Sequence, residues 1–468
     1  MPGEIITIQA GQCGNQVGQQ FWQQMCEEHK IQMDGEPNKE NLTFNDCPGV
    51  FFRSSSTGRY TPRAILIDLE PRVIHSIRQQ TNDRFFDPKD IYVASEGGGA
   101  ANRWAEGYMN AVRNKEEIMD MINREIDSCD NFEGFQLVHS VAGGTGSGFG
   151  SLLLEELSDR FSKKLVQTYS VFGASEVVVE PYNTVLTLKR LIQNSDANII
   201  VDNSSLTNIV SKNLRVLSPS YSDTNSLISK VMCGATSSIR FPLSMCSSLT
   251  SILSALIPTP ELHFLIPSFT PLANVFRGNT AYDVLLEVLD RKLRMCGYNE
   301  PNEVSFSLLE VLFGSENALT MQSDSIEKAK DKVRERVNFA PWCTASQVVL
   351  SQTNDSLSTD EIVHCLMLAN STASLPVLRK VLTQFDQLMR RSAFLNNYVN
   401  SDYDTEIGSI MDEFTDSREV LLDQIDEYER SKSIDYMDLD MNEPSVGNNV
   451  ANPEKAANAK NADDVQME

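Results

Sequence analysis

Residues 143 to 150 place five glycines in eight positions, as Gly143-Gly144-Thr145-Gly146-Ser147-Gly148 with Gly150 beyond. The run joins an apolar, strand-like stretch at 135–141 to a segment in which Leu153, Leu157, Phe161 and Leu165 recur every four residues as one helix face. A strand that enters a helix through glycines belongs to an α/β layer. Glycines let successive backbone N–H groups turn toward one anion, and the helix dipole adds a partial charge of the right sign. Ala142 and the 143–148 loop therefore read as a phosphate cradle, and the expected ligand is a nucleotide. Two other phosphate-binding patterns are excluded. No Gly-Lys-Ser/Thr occurs in the chain, and Phe149 and Ser151 stand where the last glycine of a dinucleotide fingerprint would fall.

The chain has 468 residues, 41% of them hydrophobic, which suits a soluble protein of two or three domains. Its net charge of -24 argues against nucleic acid and anionic membranes as partners. Residues 401–468 carry 19 acidic against 5 basic side chains, so more than half of that excess lies in the last part of the chain. Nine cysteines with no Cys-x-x-Cys pair fit a reducing compartment better than a disulfide framework or a thiolate metal site. The first residues lack the basic flank and apolar core of a signal peptide, and no run of about 18 apolar residues is present, so no direct membrane contact is expected.

Extended apolar runs at 4–9, 64–67, 91–94, 135–141, 165–172 and 197–201 alternate with helical patterns such as Val17, Phe21, Met25 and Trp104, Tyr108, Val112. This predicts a mostly parallel α/β sheet over residues 1–205, with ligands gathering at the loops after the strands. A core helix and connection are expected over 206–240, and a proline-punctuated α+β domain over 241–371 with strands near 304–313 and 346–350. Two packed helices are expected over 372–437, with Leu378, Leu382, Phe385 and Met389 facing Phe414, Leu421, Ile425 and Tyr428. Residues 438–468 have the composition of a disordered acidic tail. Such a tail ordinarily serves only to solubilise; the sharper reading is a regulated docking segment, with Ser431, Ser433 and Tyr436 as candidate phosphorylation positions.

Gly11-Gln12-Cys13-Gly14-Asn15-Gln16 follows the first strand, and Gly97-Gly98-Gly99-Ala100-Ala101-Asn102 follows the third. Three such loops are suited to surround one polyphosphate. With no phosphate-binding lysine in view, Asp68 and Glu70 are suited to hold hydrated Mg²⁺ beside it. Glu180 is placed to accept hydrogen bonds from ribose, although a plain turn is equally compatible. Asn203, Tyr221 and Asn225 offer amide edges and an aromatic face to a purine, and Asn225 is equally a helix-start residue. The five histidines make no metal-ligand spacing, and no nucleophile-elbow pattern appears, so no catalytic residue is assigned.

Together these motifs, with Val179-Glu180-Pro181-Tyr182-Asn183, resemble the tubulin superfamily up to about residue 435. Residues 163–172, 186–191 and 256–265 are similar to the gamma-tubulin family rather than to alpha or beta subunits. The resemblance implies a tubulin-like fold with a parallel-sheet GTP-binding domain, an α+β second domain and a C-terminal helical hairpin. It implies GTP or GDP as ligand, with Gln12, Cys13, Asn102 and the 143–148 loop on phosphates, Glu180 on ribose, Asn203, Tyr221 and Asn225 on guanine, and Asp68 and Glu70 near Mg²⁺. It also marks departures. Ser248 and Ser251 align with the alpha-subunit acids that complete GTP hydrolysis in a neighbour, and an unionised hydroxyl is a poor substitute for them. Ala101 and Arg103 stand where polymer-forming tubulins usually carry Gly and Asn. Loop lengths at 44–60 and 173–177 suggest a divergent member.

The function this implies is a template for microtubule nucleation. Copies held side by side by gamma-tubulin complex scaffold proteins at a microtubule-organising centre would present GTP-bearing faces to alpha/beta-tubulin. The alternative is a polymerising GTPase that is itself a filament subunit, which equimolar incorporation along microtubules would reveal.

Overall fold

The computed structural model describes residues 3–37, 46–81, 84–94, 99–173, 177–241, 245–270, 280–297, 300, 302–314, 319, 322–343, 347–353, 363–399 and 402–437. Gly97, Gly98 and the acidic tail lie outside the described residues, as do parts of the two loops of unusual length.

One sheet of ten strands runs through the molecule. Among the described residues the strands, in chain order, are β1 (Glu4–Ala10), β2 (Phe52–Ser54), β3 (Tyr60–Pro62), β4 (Ala64–Asp68), β5 (Ile91–Val93), β6 (Phe132–Ser140), β7 (Leu165–Phe172), β8 (Ala197–Asp202), β9 (Phe264–Thr270), β10 (Ser305–Gly314), β11 (Gln347–Thr353) and β12 (His364–Ser371). Their order across the sheet is β5-β4-β1-β6-β7-β8-β9-β12-β10-β11, with β2 and β3 forming a separate ribbon. From β5 to β9 every pairing is parallel, whereas β12 runs antiparallel to both β9 and β10. Both faces of β1, β4 and β8 are buried, which is why these strands carry apolar residues on both faces, with Thr7, Gln9 and Asn198 buried among them.

Helices cover both faces. Those that position the site are α1 (Gly11–Glu28), α2 (Pro71–Gln80), α3 (Trp104–Arg113), α4 (Lys115–Asp127), α5 (Gly150–Arg160), α6 (Glu180–Asn194), α7 (Asn203–Lys212) and α8 (Tyr221–Ala235). Others among the described residues are α9 (Ser237–Arg240), α10 (Leu249–Leu256), α11 (Ala281–Glu287), α12 (Ser323–Arg336), α13 (Leu375–Arg390), α14 (Asp402–Glu406) and α15 (Ile410–Arg430). α1 buries Val17, Phe21, Trp22 and Met25, one stripe at helical spacing. The α5 stripe stops earlier than its periodicity suggests: the helix ends at Arg160, and Leu165 opens β7. α13 and α15 form the C-terminal pair, joined by Arg418 to Asp386 at 2.7 Å and by Phe385 against Phe414 at 5.7 Å. No helix among the described residues is long and apolar enough to cross a membrane.

Past α15, only one of the three candidate phosphorylation positions is accessible. Ser431 is buried and donates to the Tyr428 carbonyl, and Tyr436 is buried against Trp342 with its hydroxyl on Glu427 at 2.6 Å. Ser433 alone is exposed. Phosphate on the other two requires the segment to lift off the body first.

Candidate functional site

In the sheet, the chain leaves β1 toward β4 and β5 on one side and returns to β6 on the other. That reversal opens a crevice between the carboxyl ends of β1 and β6, where open α/β sheets take their ligands. The first and second glycine loops meet there. Gly11 has φ +75, and a Cβ on it would lie 2.9 Å from the Gly146 nitrogen and 3.3 Å from the Thr145 Cβ. Only glycine satisfies both the left-handed turn and the approach.

The signature loop divides its glycines between packing and opening. A Cβ at Gly144 would lie 2.7 Å from Ala100 Cβ, one at Gly146 2.8 Å from the Ser140 carbonyl, and one at Gly148 2.1 Å from the Trp104 carbonyl. Those three are fixed by neighbouring backbone. Gly143 has nothing within 4 Å, so the loop is open there. Residues Thr145–Phe149 form a turn of π-helix before α5, a local widening frequent at functional sites. The Ser147 hydroxyl turns inward to the Gly143 and Gly144 carbonyls, so it braces the loop.

The third loop closes against the other two from the α3 side. Ala100 and Arg103 touch Gly144, and Gly99, at φ +59, lies against Glu70, whose Oε1 would be 2.6 Å from an added Cβ. Ala101 and Asn102 follow at φ +46 and +54, two consecutive non-glycine residues in the left-handed region. Glu70 is the residue before α2 and makes no side-chain capping bond, and Asp68 ends β4 beside it.

Asp68 is 2% exposed, its Oδ1 accepts the Glu70 backbone N–H at 3.3 Å, and its Oδ2 has no partner among the described residues. Burial raises its pKa to about 6, outweighing the two backbone hydrogen bonds that favour the carboxylate. A buried carboxylate with a free oxygen suits a hard cation, so the residues fit Mg²⁺.

The remaining candidates come from the neighbouring strands and helices. Glu180 is the first residue of α6, with its Oε1 against Gly173 at the end of β7. Asn203 opens α7 directly after β8, where Asp202 caps the helix by accepting from the Ser204 and Ser205 N–H groups. Tyr221 and Asn225 lie one turn apart at the start of α8, which is fixed by a Ser220/Asp223 capping box. α8 lies along α1 in the same direction, with Ser229 on Gln24 at 3.1 Å and, past its end, Arg240 on Glu28 at 2.7 Å. Tyr221 is 57% exposed and Asn225 only 8%. The amides of Asn203 and Asn225 make no hydrogen bond among the described residues, and Gln12 is exposed beside Cys13 at the α1 start. Cys13 is enclosed, and burial pushes its thiol up to about 12, so it offers a neutral side chain.

Three residues brace the site in a role that the sequence does not signal. Asn15 donates to the Gly11 and Ile67 carbonyls, both at 2.9 Å, tying the first loop to β4. His139 is the core histidine its strand position implies, and it also holds the signature loop. Its Nδ1 is 2.9 Å from the Gly146 carbonyl and its Nε2 3.0 Å from the Ser170 hydroxyl, and burial lowers its pKa to about 4. It is therefore neutral, with Nδ1–H donating. Asn183 bonds to two loops at once.

At the opposite edge, by the amino ends of β1, β6 and β7, Ser248 and Ser251 close on each other. Ser248 caps α10, the two hydroxyls are 3.0 Å apart, and Ser251 donates to the Ser248 carbonyl at 2.7 Å. Glu133 accepts from both the backbone and the hydroxyl of Thr250.

Residues 4–211 match the model of the Tubulin/FtsZ family, GTPase domain, and residues 260–383 that of the Tubulin C-terminal domain. Fold and site thus define a tubulin-type GTPase architecture. The chain is 44% identical to a protein named tubulin gamma chain from Eremothecium gossypii, over 99% of this chain and 100% of that one. It is 43% identical to the tubulin gamma chain of Candida glabrata, over 95% and 98%. The chain belongs to the tubulin family and, within it, to the gamma-tubulins.

Proposed function

We propose that this chain binds GTP or GDP in the crevice between β1 and β6 and serves, in that loaded state, as a template for microtubule nucleation. The observation that carries the reading is the gathering of three glycine loops, an unpartnered buried carboxylate and two unpartnered amides at one edge of the sheet. In this reading Gln12, Cys13, Asn102, Ala142 and the 143–148 loop hold the phosphates, and Glu180 takes the ribose. Asn203 and Asn225 offer their amides to the guanine edge, and Tyr221 lays its ring on the base. Asp68 would hold Mg²⁺ directly and Glu70 through water, and the cation when bound neutralises phosphate charge.

Templating has an entropic logic. Free tubulin subunits lose orientational freedom when the first few assemble, and a ring of pre-placed copies removes most of that penalty. Scaffold proteins of a gamma-tubulin complex, contacting the edge that carries Ser248 and Ser251, would set the spacing of lateral copies at a microtubule-organising centre, and the nucleotide-bearing edge would meet alpha/beta-tubulin. The closed serine pair supports this orientation, because positions 248 and 251 offer no carboxylate to a neighbour's nucleotide. The test is to purify the protein, identify the extracted nucleotide, and measure microtubule formation with scaffold proteins present and absent. Guanine nucleotide together with scaffold-dependent nucleation is expected. Uniform incorporation along the polymer would instead favour the filament-subunit alternative.

A further inference from the structure

Asn183 lies in the first turn of α6, wholly buried, with no ligand-facing surface. Its amide nevertheless makes four hydrogen bonds, the full capacity of its two donors and one doubly accepting oxygen. Nδ2 donates to the Asn102 carbonyl and to the Ala142 carbonyl, each at 2.8 Å. Oδ1 accepts from the Trp104 backbone N–H at 2.9 Å and from the Tyr398 hydroxyl at 2.6 Å. The first two join the third glycine loop to the start of the signature loop. The third fixes the entry of α3 just after that loop, and the fourth fastens the group to the segment before α14. These partners are remote in sequence and belong to separate loops, so one planar group sets the width of the crevice on that side.

The strain around it needs such a clamp. Ala101 and Asn102 are both left-handed, a conformation that relaxes unless the surroundings over-determine it. Holding the Asn102 carbonyl is what keeps the Ala101–Asn102 turn in place over Gly144.

We infer that Asn183 is a positioning residue for nucleotide binding: it touches no nucleotide itself but holds the Asn102 and Ala142 backbone at the separation the phosphates require, with Tyr398 orienting its amide. The inference rests on the guanine-nucleotide reading above. Asn183→Asp is the discriminating change, because it keeps the shape and the acceptor while turning the donor edge into an oxygen that faces two carbonyls. Tyr398→Phe removes one bond of the four and leaves the donors in place. Tyr182→Phe, which loses the 2.8 Å bond from the same helix to the Ala393 carbonyl, is the control for general loosening.

The experiment loads full-length protein with radiolabelled GTP, chases with excess unlabelled GTP, and follows release alongside thermal melting. Release is expected to quicken by roughly tenfold or more in Asn183→Asp and by about threefold in Tyr398→Phe. Tyr182→Phe should melt earlier yet release at the wild-type rate. Wild-type release from Asn183→Asp, or equal acceleration in Tyr182→Phe, would overturn the inference and leave the nucleotide reading standing. If Asn183→Asp is insoluble, Tyr398→Phe decides: an unchanged rate overturns the inference. Failure of the wild-type protein to retain any guanine nucleotide would overturn both.

Discussion

The two edges of the central sheet treat their side-chain amides and hydroxyls in opposite ways. At the carboxyl edge Asp68 Oδ2 and the Asn203 and Asn225 amides lack protein partners among the described residues, and Gly143 faces open space. At the amino edge the hydroxyls of Ser248, Thr250 and Ser251 all find protein partners, Thr250 on Glu133 Oε1, although Glu133 Oε2 has none among the described residues. A buried carboxylate oxygen without a partner is unfavourable, so Asp68 Oδ2 marks a place where something else supplies the bond, and the two accessible amides stand open to the same ligand. One edge is therefore arranged for a ligand, and the other is a capped helix end that leaves its serines nothing to offer. Variants at the first edge should change nucleotide binding, and variants at the second should leave it unchanged and, in the isolated protein, change only stability.

The sharpest way to break that contrast is Asn225→Asp. It puts a charge at a position only 8% exposed and swaps a donor for an acceptor against the guanine edge. Nucleotide retention, read by extraction after gel filtration, is expected to fall on the order of 10²-fold. Unaltered retention would remove Asn225 from the site.

Asp68 provides a pH-dependent test. Its folded pKa is raised from 3.8 to about 6 by burial, so the stability that its protonation contributes is fully present below about pH 3.8 and lost as pH rises through 6. A bound cation reverses that loss, because it stabilises the carboxylate. Mg²⁺ affinity, measured by titration at fixed GTP, should drop about tenfold per pH unit below 6, in addition to any change from the nucleotide's own phosphates. Asp68→Asn should remove that increment and lower affinity at neutral pH by about tenfold. An identical pH profile in the variant would place the cation elsewhere.

What was legible in the sequence divides along a similar line. The glycine turns and two-face-buried strands are local patterns, and β1, β4, β6, β7 and β8 fall where alternating composition puts them. β9 is harder to read because Pro267 interrupts it, and proline argues against an interior strand. The structure tolerates it because the β8 ladder ends at Leu265, so no partner there needs the missing N–H. The supporting residues were illegible for another reason. Asn183 reaches carbonyls 41 and 81 residues away, and Asn15 one 52 away, distances at which sequence spacing carries no signal. Equally, nothing in the sequence shows that Ser431 and Tyr436 turn inward.

At the amino edge the expected effects are smaller and confined to stability. Ser248→Ala removes the α10 cap and should lower stability by about 1 kcal/mol, seen in urea unfolding, while GTP release stays at the wild-type rate. Ser251→Glu is the complementary change. It converts the pair to the common Ser-x-x-Glu capping box, so stability should hold within about 0.5 kcal/mol. A slower or faster GTP release in either variant would mean that the two edges are coupled, and the contrast drawn between them would fail.

The smallest expected effect lies within the third loop. Ala101 occupies φ +46, where an L-residue is disfavoured by roughly 1–2 kcal/mol and glycine is not. Replacing it with glycine relieves that strain but also frees the unfolded chain, which offsets about 0.4–1 kcal/mol. The net gain for Ala101→Gly is then about 0.5 kcal/mol, a rise of a degree or two in melting temperature. Because the Asn183 bond to Asn102 is made from the carbonyl, the substitution leaves the clamp intact, and GTP release should not quicken. A lower melting temperature would show that the unfolded-state term wins. Faster release would show that alanine's stiffness, and not only the Asn183 amide, holds this side of the crevice.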